Sequence, residues 1–155
     1  MLPFPSSRLP FGLNLWIAAR LLPQVMKYRQ LDDILRRATP ENSVRAYDNL
    51  EATAIVDAVK KSVSRPWRMR GRRCLREGLL AFHYLKLAGY APVLHFGLVP
   101  KTITTKRPQA HCWISLNGTT ILNPPAVPML DLFAYDGVDS MPANGTARLA
   151  GAIHD

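Results

Sequence analysis

Two side chains in this sequence are of types that can share acyl chemistry: Cys74, in the run RRCLREGLLAFHYLKLAGY, and His111, in AHCWISLNGTTILN. A thiol attacks a carbonyl as its thiolate, and it works best beside a base that takes its proton and returns it to the leaving group. Leu75, Leu79, Phe82, Leu85 and Leu87 recur at helical spacing until Gly89, so the spacing predicts a helix with Cys74 in its first turn. There the unpaired backbone N–H groups and the positive end of the helix dipole favour a thiolate, and Arg72, Arg73 and Arg76 add charge in the same sense. The competing reading is that Cys74 is a small buried apolar residue, the usual fate of a free cysteine. The later histidine favours the chemical one.

The elements that must position this pair follow from the pattern between Tyr90 and Asn123. The run APVLHFGLV has strand character, a polar basic stretch KTITTKRPQ follows, and AHCWISLNGTTILN predicts two strands about an Asn117-Gly118 turn. Strand alternation puts His111, Trp113 and Ser115 on one face and Cys112, Ile114 and Leu116 on the other. A two-residue loop pairs Leu116 with Thr119 and sets His111 opposite Pro124. A three-residue loop with Gly118 in a G1 bulge pairs Ser115 with Thr119 and sets His111 opposite Asn123. We expect the three-residue loop, in which the Asn123 side chain would fix the imidazole tautomer as the third member of a nucleophile, base and orienter set.

The segment from about residue 70 to 123, and more loosely the apolar N-terminal segment, resembles the lasso-peptide leader peptidases. These are transglutaminase-like domains found at the C-terminus of microcin-type maturation proteins or as stand-alone chains. In that family a cysteine opens a leucine-rich helix, as in CLREGLLAFHYLKLAGY, and a histidine begins an A-H-x-W strand, matched here by Ala110, His111, Cys112 and Trp113. The resemblance implies a Cys-His-Asp triad, with Cys74 as nucleophile and His111 as base. Where the family has aspartate this chain has Asn123, which can orient an imidazole without balancing its charge; Asp131 and Asp136 stand in reserve.

What the resemblance implies is a cysteine peptidase that removes the leader from a ribosomally made lasso-peptide precursor. A separate leader-recognition protein would present the precursor, and an ATP-dependent lasso cyclase would act on the released core peptide. Its fold would be α+β and papain- or transglutaminase-like, with N-terminal helices, the cysteine at a helix N-terminus and a small antiparallel sheet carrying the histidine. The backbone N–H of Cys74 is the candidate oxyanion donor. Two other readings stay open: acyl transfer to an amine on the same core, and, given Asn123, a weak or inactive precursor-binding scaffold.

The bulk properties suit one small domain. The chain has 155 residues, 48% of them hydrophobic, enough to bury a core. We expect an N-terminal helical part over 1–66, a catalytic core over 67–123 and an irregular tail over 124–155. Met129 to Tyr135 is the part of that tail most suited to dock back. Two cysteines without a signal peptide point to the cytoplasm and to free thiols, with a Cys74–Cys112 bridge as the lesser alternative. Arg8, Pro10, Asn14, Arg20 and Pro23 break up the N-terminal apolar run, which falls short of the roughly 20 residues of a spanning helix. A helix from about Leu13 to Leu22, packed on the domain or on a partner, fits it better, and further helices are expected over Tyr28–Arg37 and Ser43–Lys61. The latter would bury Val44, Tyr47, Leu50, Ala54, Val59 and Val63.

The net charge is +9, with Arg65, Arg68, Arg70, Arg72, Arg73 and Arg76 close to Cys74 in sequence. That field suits an acidic peptide or partner; a solubilising basic face is the plainer alternative. No zinc finger, aromatic RNA-binding signature or helix-turn-helix accompanies the charge, so nucleic acid is not the expected partner. No metal or other cofactor is expected. His83, nine residues after Cys74, falls on the opposite side of the same helix, and neither CxxC nor HExxH spacing occurs. The basic loop from Lys101 to Arg107 lies between the two strands leading to His111 and could border a substrate groove.

Overall fold

The computed structural model describes residues 9–64, 72–138 and 140–142, the last three through their backbone alone. Its centre is the helix that begins beside Cys74. This helix, α4 (Arg73–Leu87), is buried almost all round from Arg76 to Leu85. Such a helix has neighbours on every side, here α1 (Phe11–Tyr28), α2 (Leu31–Ala38), α3 (Ala52–Val63) and one face of a sheet. Leu79, Leu80, Phe82 and Leu85 are fully buried, each worth about 2 kcal/mol in removing apolar surface from water. The helix ends where the sequence indicates, with Gly89 at φ 82°, a left-handed position suited to glycine.

The sheet is antiparallel throughout, in the order β3-β2-β1-β4-β5. Its strands are β1 (Pro92–Leu98), β2 (Ala110–Leu116), β3 (Thr119–Leu122), β4 (Leu130–Tyr135) and β5 (Ser140–Pro142). Leu94, Cys112, Ile114 and Leu122 are buried in the helix-facing core, whereas His111, Trp113 and Ser115 occupy the opposite face of β2. The class is α+β, as expected.

Two expectations are corrected here. Ser43–Lys61 is not one helix: a single 3₁₀ turn (Arg45–Tyr47) precedes α3. Val44 N–H donates to Leu87 C=O at 2.7 Å and the Tyr90 hydroxyl donates to Leu50 C=O at 2.9 Å, so tertiary bonds fasten this segment at both ends and override its helical spacing. In α3 itself Ile55, Val56, Val59 and Val63 are buried, and Ala54 is exposed. The second correction concerns the tail, whose described residues are not irregular throughout. Leu130–Tyr135 forms β4 beside β1, held by the stacked rings of Phe96 and Phe133 and by Tyr135 Oη against Thr39 Oγ1 at 2.7 Å.

α1 ties the helical layer to the first turn of α4. It buries Leu15, Ala18, Ala19, Leu22 and Met26, and buried Asn14 sits in a polar chain between Tyr84 Oη, at 2.7 Å, and Tyr47 Oη, at 3.1 Å. Pro23 lies within the helix and has no N–H to offer the carbonyl four residues back. That carbonyl, on Ala19, instead accepts from Arg76 Nη2 at 3.2 Å. Arg76 is therefore buried, 7% exposed, and its charge is spent inside the fold rather than on a basic rim. Among the described residues no helix is long and apolar enough to cross a membrane.

Candidate active site

Cys74 is half-buried on the first turn of α4, beside the edge of β2 at the point where β3 turns away. The ladder explains what it meets there. Val99 N–H donates to Gln109 C=O, and antiparallel pairs alternate between hydrogen-bonded and open, so His111 and Trp113 direct their N–H groups toward β1. Cys112 directs its own toward the β3 side. β3 ends at Leu122, paired with Ile114, which leaves the Cys112 N–H clear of the ladder and close enough to Cys74 to favour its thiolate. From this edge position Cys74 also reaches side chains on both faces of β2, the Cys112 thiol on one and the His111 imidazole on the other.

These contacts bring the Cys74 thiol down from its ordinary 9.0 to about 5. The hydrogen bond from the Cys112 thiol is the largest cause; burial works against it, and the Cys112 N–H, the His111 charge and the His111 hydrogen bond reinforce it. Cys112, 2% exposed, is pushed up by donating to Cys74 and by burial, so of the two sulfurs Cys74 ionises and Cys112 stays a donor. Sequence reasoning missed Cys112 because alternation places it on the face away from His111. The signal that could have found it is its placement on the helix-facing side of the strand, toward the turn that carries Cys74.

The hairpin register differs from the three-residue loop expected from the sequence. Leu116 pairs with Thr119, so the loop is Asn117-Gly118, with φ of 51° and 80°, the two left-handed residues whose twist suits a tight hairpin. Ser115 then pairs with Thr120 and Ile114 with Leu122, which makes Ile121 an extra, bulged residue. Asn123 follows at φ 52°. That left-handed turn aims its main-chain carbonyl at His111, whose Nε2 donates to it at 3.0 Å. Its side-chain Nδ2 points instead to the Cys74 carbonyl oxygen at 3.5 Å. The expected contact between the Asn123 amide and the imidazole is thus replaced by a main-chain one. With Nε2 carrying the proton, Nδ1 is the nitrogen left to face the thiol.

Trp113 sets the imidazole from the other side. Its ring stacks between His95, with centroids 5.3 Å apart, and His111, at 6.2 Å. The space for it comes from Gly97, the partner of His111 on β1, where a Cβ would lie 3.1 Å from both Trp113 and the Leu130 carbonyl oxygen. His95 is engaged elsewhere: its Nε2 meets Ser115 Oγ at 2.7 Å, and burial lowers its pKa against the opposing charge of Asp131. Asp131 pairs with Gly97 from the far side of β1, two strands and therefore about 10 Å of backbone from His111. Asp136 accepts from Val138 N–H at 2.9 Å in the turn after β4. Both reserve carboxylates thus lie away from the Cys74–His111 pair.

His83 lies deep among the helices, its Nδ1 3.0 Å from the Ala38 carbonyl, with burial bringing its pKa down to about 4. Of the expected basic cluster, Arg72 and Arg73 are exposed and Arg73 Nε bridges Glu77 at 2.8 Å; Arg65, Arg68 and Arg70 lie outside the described residues. Lys101, Lys106 and Arg107 are exposed in the loop next to Ala110 and His111. Among the described residues no three His, Cys, Asp or Glu side chains gather to hold a metal ion.

Comparison with the curated proteins and with the solved structures found no match. A family model described as transglutaminase-like superfamily matches residues 13–131, from α1 to the start of β4, and its chemistry is of the cysteine-protease or acyl-transferase type. The match takes in most of the chain, including the helix of Cys74 and the strand of His111, and on it the chain belongs to the transglutaminase-like superfamily.

Proposed function

We propose that this protein is a cysteine peptidase that removes the leader from a lasso-peptide precursor, with Cys74 as nucleophile and His111 as its acid and base. The observation that carries the chemistry is that Asn123 ties the pair together, its carbonyl accepting from His111 Nε2 at 3.0 Å and its amide reaching the Cys74 carbonyl at 3.5 Å, with Cys74 on the first turn of a buried helix and its thiol pKa lowered by His111 and Cys112. The CLREGLLAFHYLKLAGY and AHCW segments support the substrate class. The thiolate attacks the carbonyl at the end of the leader. The resulting oxyanion is met by the Cys74 N–H, one of the helix-start donors that the helix itself leaves unused. Protonated His111 gives its proton to the departing amine of the core peptide, leaving a thioester between Cys74 and the leader. His111 then takes a proton from water, and the hydroxide releases the leader as a carboxylate.

The Asn123 carbonyl holds Nε2–H throughout, so proton traffic runs through Nδ1. A separate recognition protein presents the leader, and the exposed Arg72, Lys101, Lys106 and Arg107 favour acidic residues near the cut. The test is mass spectrometry of the precursor and its recognition protein with wild-type chain or Cys74→Ala: a leader-sized cut by wild type alone supports the reading, and a cut by both overturns it. Because the matched superfamily includes acyl transferases, an added primary amine belongs in the same assay. Amide formation on the leader carboxyl in place of acid would make the chain a transferase.

A further inference from the structure

We propose that Cys74 and Cys112 form a peroxide-responsive modification site: oxidation of Cys74 is resolved by Cys112 into a reversible Cys74–Cys112 disulfide that blocks the nucleophile. The proposal stands on how the two sulfurs are placed and does not rest on the peptidase reading. Cys74 and Gly78 are one helical turn apart and so share a face of α4. A Cβ at Gly78 would lie 3.2 Å from Cys112 Sγ, which puts the Cys112 sulfur directly over the stretch of helix that begins at Cys74. Cys112 is also near enough to Cys74 to be the largest cause of its lowered pKa. Cys74 is accessible and Cys112 is not, and a reactive, accessible thiol beside a buried second one is the arrangement that turns a sulfenic acid into a disulfide before further oxidation.

The chemistry balances with hydrogen peroxide as oxidant. The Cys74 thiolate takes one oxygen from the peroxide, breaking its O–O bond; sulfur is oxidised by two electrons and, with a proton, water leaves. Cys112 sulfur then attacks the Cys74 sulfur; the S–S bond forms, the S–O bond breaks, and hydroxide leaves with the Cys112 proton as a second water. The timing is built in. Cys112 is held as an unreactive thiol by donating to Cys74, by burial and by the Cys74 charge; the first and the last vanish once Cys74 carries oxygen, while burial remains. A dithiol restores both cysteines by accepting the disulfide in exchange.

The experiment treats the full chain, wild type and Cys112→Ser and Cys112→Ala variants with native circular dichroism, with hydrogen peroxide. It reads intact mass, peptide linkage and recovery of Cys74 alkylation by iodoacetamide after dithiothreitol. The proposal expects wild type to lose two hydrogens, to yield a linked Cys74–Cys112 peptide pair and to recover alkylation fully. Either variant should gain oxygen on Cys74 and fail to recover it once two or more oxygens are attached. Oxygen addition to wild-type Cys74 at the same extent and with the same poor recovery as in the variants would overturn it, as would a disulfide formed only between two chains.

Discussion

Replacing Asn123 separates its main chain from its side chain, because Asn123→Gly keeps the first and deletes the second. In the structure the carbonyl accepts from His111 Nε2 at 3.0 Å and the residue sits at φ 52°, both of which glycine reproduces freely. What glycine loses is the amide contact to the Cys74 carbonyl at 3.5 Å, a stretched bond worth about 0.5 kcal/mol. Precursor cleavage by Asn123→Gly should therefore fall only about twofold. Asn123→Ala must hold the left-handed conformation against a cost of about 1–2 kcal/mol; relaxing it withdraws the carbonyl from His111, and a loss of about tenfold or more is expected. The assay is single-turnover cleavage of the precursor, with the rate of Cys74 alkylation as a substrate-free control and thermal unfolding to establish that both variants fold. A folded Asn123→Gly protein that loses activity about 100-fold or more would refute the reasoning and return the orienting role to the amide.

Four further outcomes follow from the same geometry. The rate of Cys74 alkylation should level off above a midpoint near pH 5 and the midpoint should rise in Cys112→Ala, whose thiol is the largest cause of the shift; a midpoint in the ordinary thiol range near 8.5 counts against it. Because the folded pKa lies below the unfolded one, this thiolate contributes stability that is fully present above pH 9 and is lost as pH falls through about 5. His83, depressed from 6.5 to about 4 by burial, contributes stability that is present above pH 6.5 and lost toward pH 4, at most about 3 kcal/mol; denaturant melts across that window would show the same pH dependence in wild type and His83→Gln if this is wrong. Gly97→Ala, with its Cβ 3.1 Å from Trp113 and from the Leu130 carbonyl oxygen, should destabilise by about 1–3 kcal/mol and loosen His111, whereas an unchanged melting curve would show that Trp113 does not need that space.

Much of the scaffold around Cys74 was legible because its signals are local. The leucine spacing of α4, the Gly89 stop and the strands on either side of Asn117-Gly118 each depend on a few adjacent residues. What escaped depends on distant contacts. An Asn-Gly pair is compatible with two loop lengths, and neither the bulge at Ile121 nor the left-handed turn at Asn123 leaves a mark in a pattern of apolar and polar residues. Alternation correctly separates His111 from Cys112, yet a sulfur at the strand edge reaches both faces. Arg76, apparently one more positive charge near the thiol, is buried because Pro23, far away in sequence, frees the Ala19 carbonyl for it. The break between residues 43 and 51 reflects bonds to Leu87 and Tyr90 that helical spacing does not encode.

The central claim is that Cys74 carries the leader as a thioester, and intact mass of the enzyme after a rapid acid quench tests it most directly. Mixed with precursor and recognition protein, wild-type chain should gain the mass of the leader at Cys74, lose it on further incubation in water, and show no such adduct as Cys74→Ala. Cleavage of the precursor with no adduct at any time, and equally by Cys74→Ala, would contradict the account.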